Sequence, residues 1–307
     1  MKLSGLIICH LSFWLYCHGD SKTVGNSEII WREGIIYHRA TDRLFTGTVQ
    51  AFWEDGVEQR NYAVTKGLKD GLWVERYQNG QKLKEIYWKK GKKVNQSTWW
   101  YQSGQKWKEV YFDESGKYLV YEFYEEGPKM KDVAWKNDKM NGLHKVYYRN
   151  GYAMREVNYL AGKKNGTVTS WFKNGVKAKE YTLENGKRNG LHRQWRQDGG
   201  IWKQEGRRDD VLEGRKTIWR ANGNKMKEVF YLDGKLNGPS TTWWLNGVIQ
   251  EKGFYEKGIK TNTFTGYHEN GRKAYEALYV DGKRVSDQTW GSNGQMTSKS
   301  EGNSRDK

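Results

Sequence analysis

Short apolar and aromatic segments alternate with polar breaks about every dozen residues along the chain, and one stretch displays the whole unit. Tyr147 to Gly166 reads YYRNGYAMREVNYLAGKKNG: an aromatic pair, an Asn-Gly, a charged run, a second aromatic, then Gly-Lys-x-x-Gly. Asn-Gly between apolar segments is a strong hairpin signal, because a type I′ turn needs positive φ at both central residues. Gly162 and Gly166 punctuate the next connection, where small residues relieve the backbone. The pattern predicts strand, tight turn, strand, looser turn.

The same pattern recurs. Turn glycines fall at Gly56, Gly80, Gly104, Gly127, Gly151, Gly175, Gly199, Gly223, Gly247, Gly271 and Gly294, 24 residues apart except for two steps of 23. Four residues before each stands an aromatic (Phe52, Trp100, Phe123, Tyr147, Trp171, Trp195, Trp219, Trp243, Tyr267, Trp290), with Arg76 as the exception. Eight residues after come Trp88, Phe112, Trp135, Tyr159, Tyr231, Tyr255 and Tyr279. A period in this range means a tandem array. Packed helices are excluded by segments too short between turn signals, by the abundance of Trp, Tyr, Val and Thr, and by glycines that would each cost a helix about 1 kcal/mol.

Tyr159-x-x-Gly162-Lys163-x-x-Gly166 and Tyr231-x-x-Gly234-Lys235-x-x-Gly238 resemble the core of the MORN repeat. The added Asn-Gly and Lys-x-x-Glu look like the variant MORN type of many bacterial proteins, often labelled antitoxin-like. The resemblance covers about Leu44 to Gly294, some eleven units. It implies an all-β fold, an elongated single-layer antiparallel β-meander of tandem hairpins, and a role as a protein-interaction scaffold. Ser115, Asp138 and Asp210 replace the glycine of Gly-Lys, and Arg207 replaces the second aromatic after Gly199.

The rest of the chain divides around this array. Residues 1–19 carry Lys2, an apolar run from Leu6 to Tyr16 and small residues before Asp20, the marks of a secretory signal peptide. Residues 20–43 hold one apolar patch and are expected to form an N-terminal capping hairpin turning near Glu33-Gly34. Residues 44–294 are the array, and 295–307 a polar, disordered tail. Both cysteines, Cys9 and Cys17, lie in the signal segment, so the mature chain is expected to be secreted or held at the cell surface or periplasm without disulfides. No stretch reads as a transmembrane anchor.

Charge then narrows the function. Removing Lys2 leaves 52 basic and 36 acidic residues, a net charge of +16. Basic residues cluster in the connections, at Lys92, Lys93, Lys163, Lys164, Lys187 and Arg188, and are expected to line a long edge. There they would either attract an anionic polymer or surface, or keep the sheet soluble and unpaired. The residue three before the turn is often aromatic too, as at Trp53, Tyr101, Tyr148, Phe172 and Trp244. Since neighbours on a strand point to opposite faces, the ring at four before is the expected core residue. The ring at three before would then lie on the other face, free to stack on sugars or covered by lysine stems. Carboxylates five after the turn (Glu85, Glu109, Asp132, Glu156, Glu180, Glu228, Glu276) are equivalent to one another and read as charge partners of nearby lysines, not as an acid–base pair. His144 and His192 share one repeat position and read as surface turn residues without metal spacing. Asn95-Gln96-Ser97 and Asn165-Gly166-Thr167 are glycosylation sequons. No nucleophile elbow, phosphate loop or nucleotide fingerprint occurs, so no enzyme, cofactor or metal is expected. The expected partner is a protein, or else an anionic glycan or lipid surface; no nucleic acid is expected in a secreted compartment.

Overall fold

The computed structural model describes residues 22–301. The expected signal peptide lies outside them. The chain divides into two compact units, Met1–Gly104 and Gln105–Lys307, with the boundary inside the expected array. Both are β throughout, and among the described residues no helix is long and apolar enough to cross a membrane.

In the second unit, strands from Lys106–Phe112 to Met296–Glu301 follow one another in sequence order, each antiparallel to the next. The last of these corrects the expected tail: Met296–Glu301 pairs with Lys283–Trp290. In the first unit the same meander runs through Gly47–Phe52, Glu58–Thr65, Leu68–Arg76, Lys82–Lys89 and Lys92–Trp100. Thr23–Gly25 pairs parallel to Gly47–Phe52, so the first repeat strand is not left as a bare edge. Ile29–Arg32, Ile35–His38 and Arg43–Leu44 form a separate small sheet, turning at Glu33 and Gly34 with φ of 49° and 84°. Ile29, Ile36 and Phe45 from this region are buried with Val49, Tyr62 and Val64, giving the first repeat an apolar cover that a single layer lacks.

Two kinds of turn alternate, and the type I′ turns are not at Asn-Gly. At Asn150-Gly151 only the glycine has positive φ; Gly151 N–H donates to the Tyr148 carbonyl at 2.9 Å and Tyr148 N–H to the Tyr152 carbonyl at 2.8 Å. That is a type I turn closed by a glycine bulge. The residue pair before Lys163 is the type I′ turn instead, with Ala161 at φ 49° and Gly162 at 85°. Where the Gly-Lys glycine is missing, Asp138 and Asp210 take positive φ themselves (57° and 71°), a region Asp tolerates. The array therefore survives those departures.

Counting from each turn glycine as zero, the core of the second unit lies at positions +6 and −7. Val120, Val133, His144, Val157, Val168 and Tyr181 are directly opposed across successive strands, as are His192, Glu205, Lys216, Val229 and Ser240. Val133, Val157, Val168 and Val229 are each at most 5% exposed. The +8 aromatics share this face: Tyr159 lies 5.9 Å from His144, and Tyr255 and Tyr279 flank Phe264. The ring at −4, the expected core residue, is on the opposite face. Tyr147 donates its hydroxyl to Asp132, at +5, at 2.7 Å, and +5 points away from +6. Strand alternation places the ring there, since −4 lies an odd three residues from −7 on an unbroken stretch; the register shift beside it, as at Ser170/Trp171, skips residue 178 on the partner strand and brings the +2 lysine to the same face.

Candidate functional site

The sequence-predicted rings and lysines occupy opposite ends of the strands. Trp53, Tyr101, Tyr148, Phe172 and Trp244 sit at the turns closed by Gly56, Gly104, Gly151, Gly175 and Gly247, while Lys92, Lys93, Lys163, Lys164, Lys187 and Arg188 sit at or just beyond the type I′ turns. Strands of eight residues at roughly 3.3 Å each keep the two sets about 26 Å apart. The lysines are exposed; Arg188 is half-buried and its Nε lies 2.8 Å from Asp210.

The five rings are half-buried, and the −3 position has a structural task that explains its composition. The Tyr77, Tyr124 and Tyr148 hydroxyls donate to the backbone carbonyls of Trp100, Tyr147 and Trp171, one unit on, at 2.8, 3.1 and 2.8 Å. Trp244 Nε1 donates to Tyr267 and His268 Nε2 to Trp290, both at 2.8 Å, and Arg220 donates to Trp243 at 2.7 Å. Tyr, Trp, His and Arg share a terminal donor on a long side chain, and that, not aromaticity, is what the position selects. Phe172 lacks a donor, and the Trp53 indole nitrogen is buried without a partner. The turn asparagine repeats the device. Asn150 accepts from Tyr152 N–H at 3.2 Å, closing its own turn, and donates to the Lys173 carbonyl at 2.8 Å, tying it to the next.

The two faces of the second unit differ in charge. On the face carrying the −4 rings, the +5 carboxylates are neutralised by +2 lysines on the same strand: Lys106–Glu109 at 2.5 Å, Lys177–Glu180 at 2.6 Å, Lys225–Glu228 at 2.8 Å and Lys273–Glu276 at 2.6 Å. Three of these ammonium groups also stand over a −4 ring, Trp195, Trp243 or Trp290, at 4.9 to 5.8 Å. Beyond them this face exposes Tyr111, Leu119, Leu143, Leu191, Phe254 and Leu278, each 37% to 44% accessible.

The core face carries a file of cations at +4. Lys131 is paired with Glu122 at 2.8 Å, but from Arg155 onwards the opposed −5 residues are Ser170, Gln194, Ile218 and Thr242. In the same region Glu205 is 1% exposed at a position that is valine at Val110, Val133, Val157 and Val229. Its carboxylate lies 2.7 Å from Arg207, 3.3 Å from Lys203 and 3.6 Å from Lys216. Burial pushes the carboxyl up, but the Arg207 hydrogen bond and the Lys203 and Arg207 charges outweigh it and hold its pKa at about 2. His192, expected at the surface, is 6% exposed beside it. The Gln194 amide lies 3.2 Å from His192 Nε2, and His192 Nδ1, 3.5 Å from Glu205, is buried without a hydrogen-bond partner. Burial lowers the His192 pKa, and burial likewise lowers that of His144. The sequence signal for this centre is Arg207 in the place of the second aromatic. Among the described residues no group of three or more His, Cys, Asp or Glu could hold a metal ion.

The MORN repeat variant family model matches residues 69–90 and 236–257, in each case one strand, its Asn-Gly turn and the next strand. No curated protein matches the chain. Similar solved structures include a TcdB2-TccC3-Cdc42 crystal structure, at 12% identity over 86% of this chain with a TM-score of 0.19. They also include a Photorhabdus luminescens Tc holotoxin pore, at 13% identity over 85% with a TM-score of 0.19. The chain covers only 18% of either of those chains.

Proposed function

We propose that the chain is an exported, non-catalytic repeat protein of the bacterial variant MORN type that serves as a protein-interaction scaffold. The matched repeats point to a repeat protein involved in binding. The observation that carries the scaffold reading is the composition of the −4 face in the second unit. It sets Trp and Tyr rings and exposed Leu119, Leu143, Leu191, Phe254 and Leu278 around carboxylates that already have their counter-charges. A surface of this kind desolvates without stranding a charge, and Trp and Tyr are enriched among the few residues that supply most protein–protein binding energy. The alternative, attachment to an anionic glycan or lipid through the basic turns and −3 rings, is weakened by their separation and by the use of the rings inside the sheet.

The protein and a variant carrying Leu143→Ser, Leu191→Ser and Leu278→Ser are to be cross-linked in the culture that produces them. A protein partner recovered with the parent in stoichiometric amount, and lost from the variant at unchanged circular dichroism, is the expected result. Retention of that partner by the variant would overturn the reading. N-terminal sequencing of the exported protein is expected to begin at Asp20.

A further inference from the structure

We propose that the core face of the second unit, from Arg155 to Lys227, is a binding site for a linear acidic polysaccharide. Arg155, Ser170, Lys179, Gln194, Lys203, Ile218, Lys227 and Thr242 are directly opposed across successive strands, so the four cations form one straight file. Each is two strands from the next, which sets a spacing of about 9.5 Å and a file about 29 Å long. The file has defined ends. On one side Glu122 neutralises Lys131, and on the other Glu251 occupies the +4 position and accepts from Tyr275. Between them, Arg155, Lys179 and Lys227 form no ion pair with any carboxylate among the described residues, and Lys203 shares Glu205 with Arg207 and Lys216.

One further cation reinforces the file. Lys164 stands closer to the type I′ turns on the same face, and with Lys179, Tyr181, His192 and the Arg188–Asp210 ion pair it lines a groove of about 420 Å³. Glu205 cannot discharge this region, since three cations converge on its single negative charge. His144 and His192, whose pKa values burial and neighbouring cations both lower, add no charge of their own near neutral pH.

The form of the site selects its occupant. Arg155, Lys203, Lys216 and Lys227 are half-buried among rings and aliphatic stems, so a flat bilayer would not reach them together whereas a single chain would. An extended peptide would pair with a free strand edge, and this face offers none. A carboxylated or sulfated sugar chain meets the file with anions at regular intervals and presents its apolar ring faces to Tyr181 and Tyr231, which are half-buried on the same face.

The test is titration calorimetry of the whole protein with heparin, alginate, dextran and single-stranded DNA at low and high salt. Binding of alginate or heparin, but not dextran, that weakens with salt is expected, and whichever polymer binds more tightly tells carboxylate from sulfate. Arg155→Gln/Lys179→Gln/Lys227→Gln should lose affinity by about tenfold or more, and Arg155→Lys/Lys179→Arg/Lys227→Arg should keep it. Lys92→Gln/Lys163→Gln/Lys187→Gln, with the same change in net charge, should lose less than about threefold. Equal loss in both glutamine variants, binding of neither acidic polysaccharide, or tighter binding of DNA would overturn the proposal. The site does not depend on the scaffold reading: Leu143→Ser/Leu191→Ser/Leu278→Ser should bind the polysaccharide as the parent does.

Discussion

Lys179 and Glu180 are neighbours on the strand Lys177–Glu184, point to opposite faces and meet opposite electrostatic conditions. Glu180 has Lys177 at 2.6 Å and Arg193 at 3.5 Å; Lys179 faces Ser170 and Gln194 across the two flanking strands. Repeated along the second unit, this one-residue step gives one face with its charges paired and another with a cationic surplus. The chain's net charge of +17 is thus not an even coating. A tandem repeat multiplies whatever asymmetry one unit contains, so a small bias per hairpin becomes a face-wide property.

The largest break in that comparison is available at Glu205, which is 1% exposed on the cationic face. Glu205→Ala should destabilise the second unit by about 3–5 kcal/mol, because Arg207, Lys203 and Lys216 lose their common counter-charge. Glu205→Val with Arg207→Tyr, which restores the apolar pattern of the neighbouring units, should recover most of that loss. Hydrogen exchange across the strand Ile201–Arg208 measures both, and avoids assuming two-state unfolding in a repeat array.

Acid titration is the next largest effect. The folded Glu205 pKa of about 2 lies below its ordinary value of 4.5, so its contribution is complete above about pH 4.5 and is lost as pH falls towards 2. The loss should be on the order of 3 kcal/mol, and Glu205→Gln should flatten that part of the pH–stability curve. A parent and variant with the same slope would mean that other carboxylates govern acid unfolding.

Smaller effects separate faces from edges. Tyr148→Phe and Asn150→Ala each remove a hydrogen bond from one unit's turn to the next and should cost about 1 kcal/mol apiece, read as a lower thermal midpoint. Lys177→Ala and Lys179→Ala sharpen the comparison most finely. The first removes a partner of Glu180 and should cost at most about 0.5 kcal/mol; the second relieves an unpaired row and should be neutral or slightly stabilising. A reversed order in chemical denaturation would contradict the charge assignment of the two faces.

Much of this architecture was legible in the residues. The 24-residue period, the hairpins and the grouping of lysines at one set of turns follow from local chemistry, since turn glycines and alternating segments specify strands without reference to distant parts of the chain. The small sheet before the array and the strand Met296–Glu301 show the limit: the first was marked by isoleucines, whereas the second is polar and ordered only by pairing with Lys283–Trp290. The candidate sites were less legible. Trp171 reads as a core ring because the −4 position is aromatic in nearly every unit, yet the core lies at −7, three residues away, where Val168 and His144 carry no shared sequence mark. Tyr148 and Trp244 have the spacing of a stacking ladder, yet both donate to the next unit's backbone carbonyls.

By itself, then, the sequence determined the repeat, its strands and turns, and the positions of its charges along the chain. Only the tertiary structure decided which face each charge and ring belongs to, and that Arg207 marks a buried ionic centre around Glu205. The physical reason is the two-residue period of a strand. One extra residue in a bulge moves a side chain from one face to the other, and that choice is made by pairing with the neighbouring strand rather than by the residue itself.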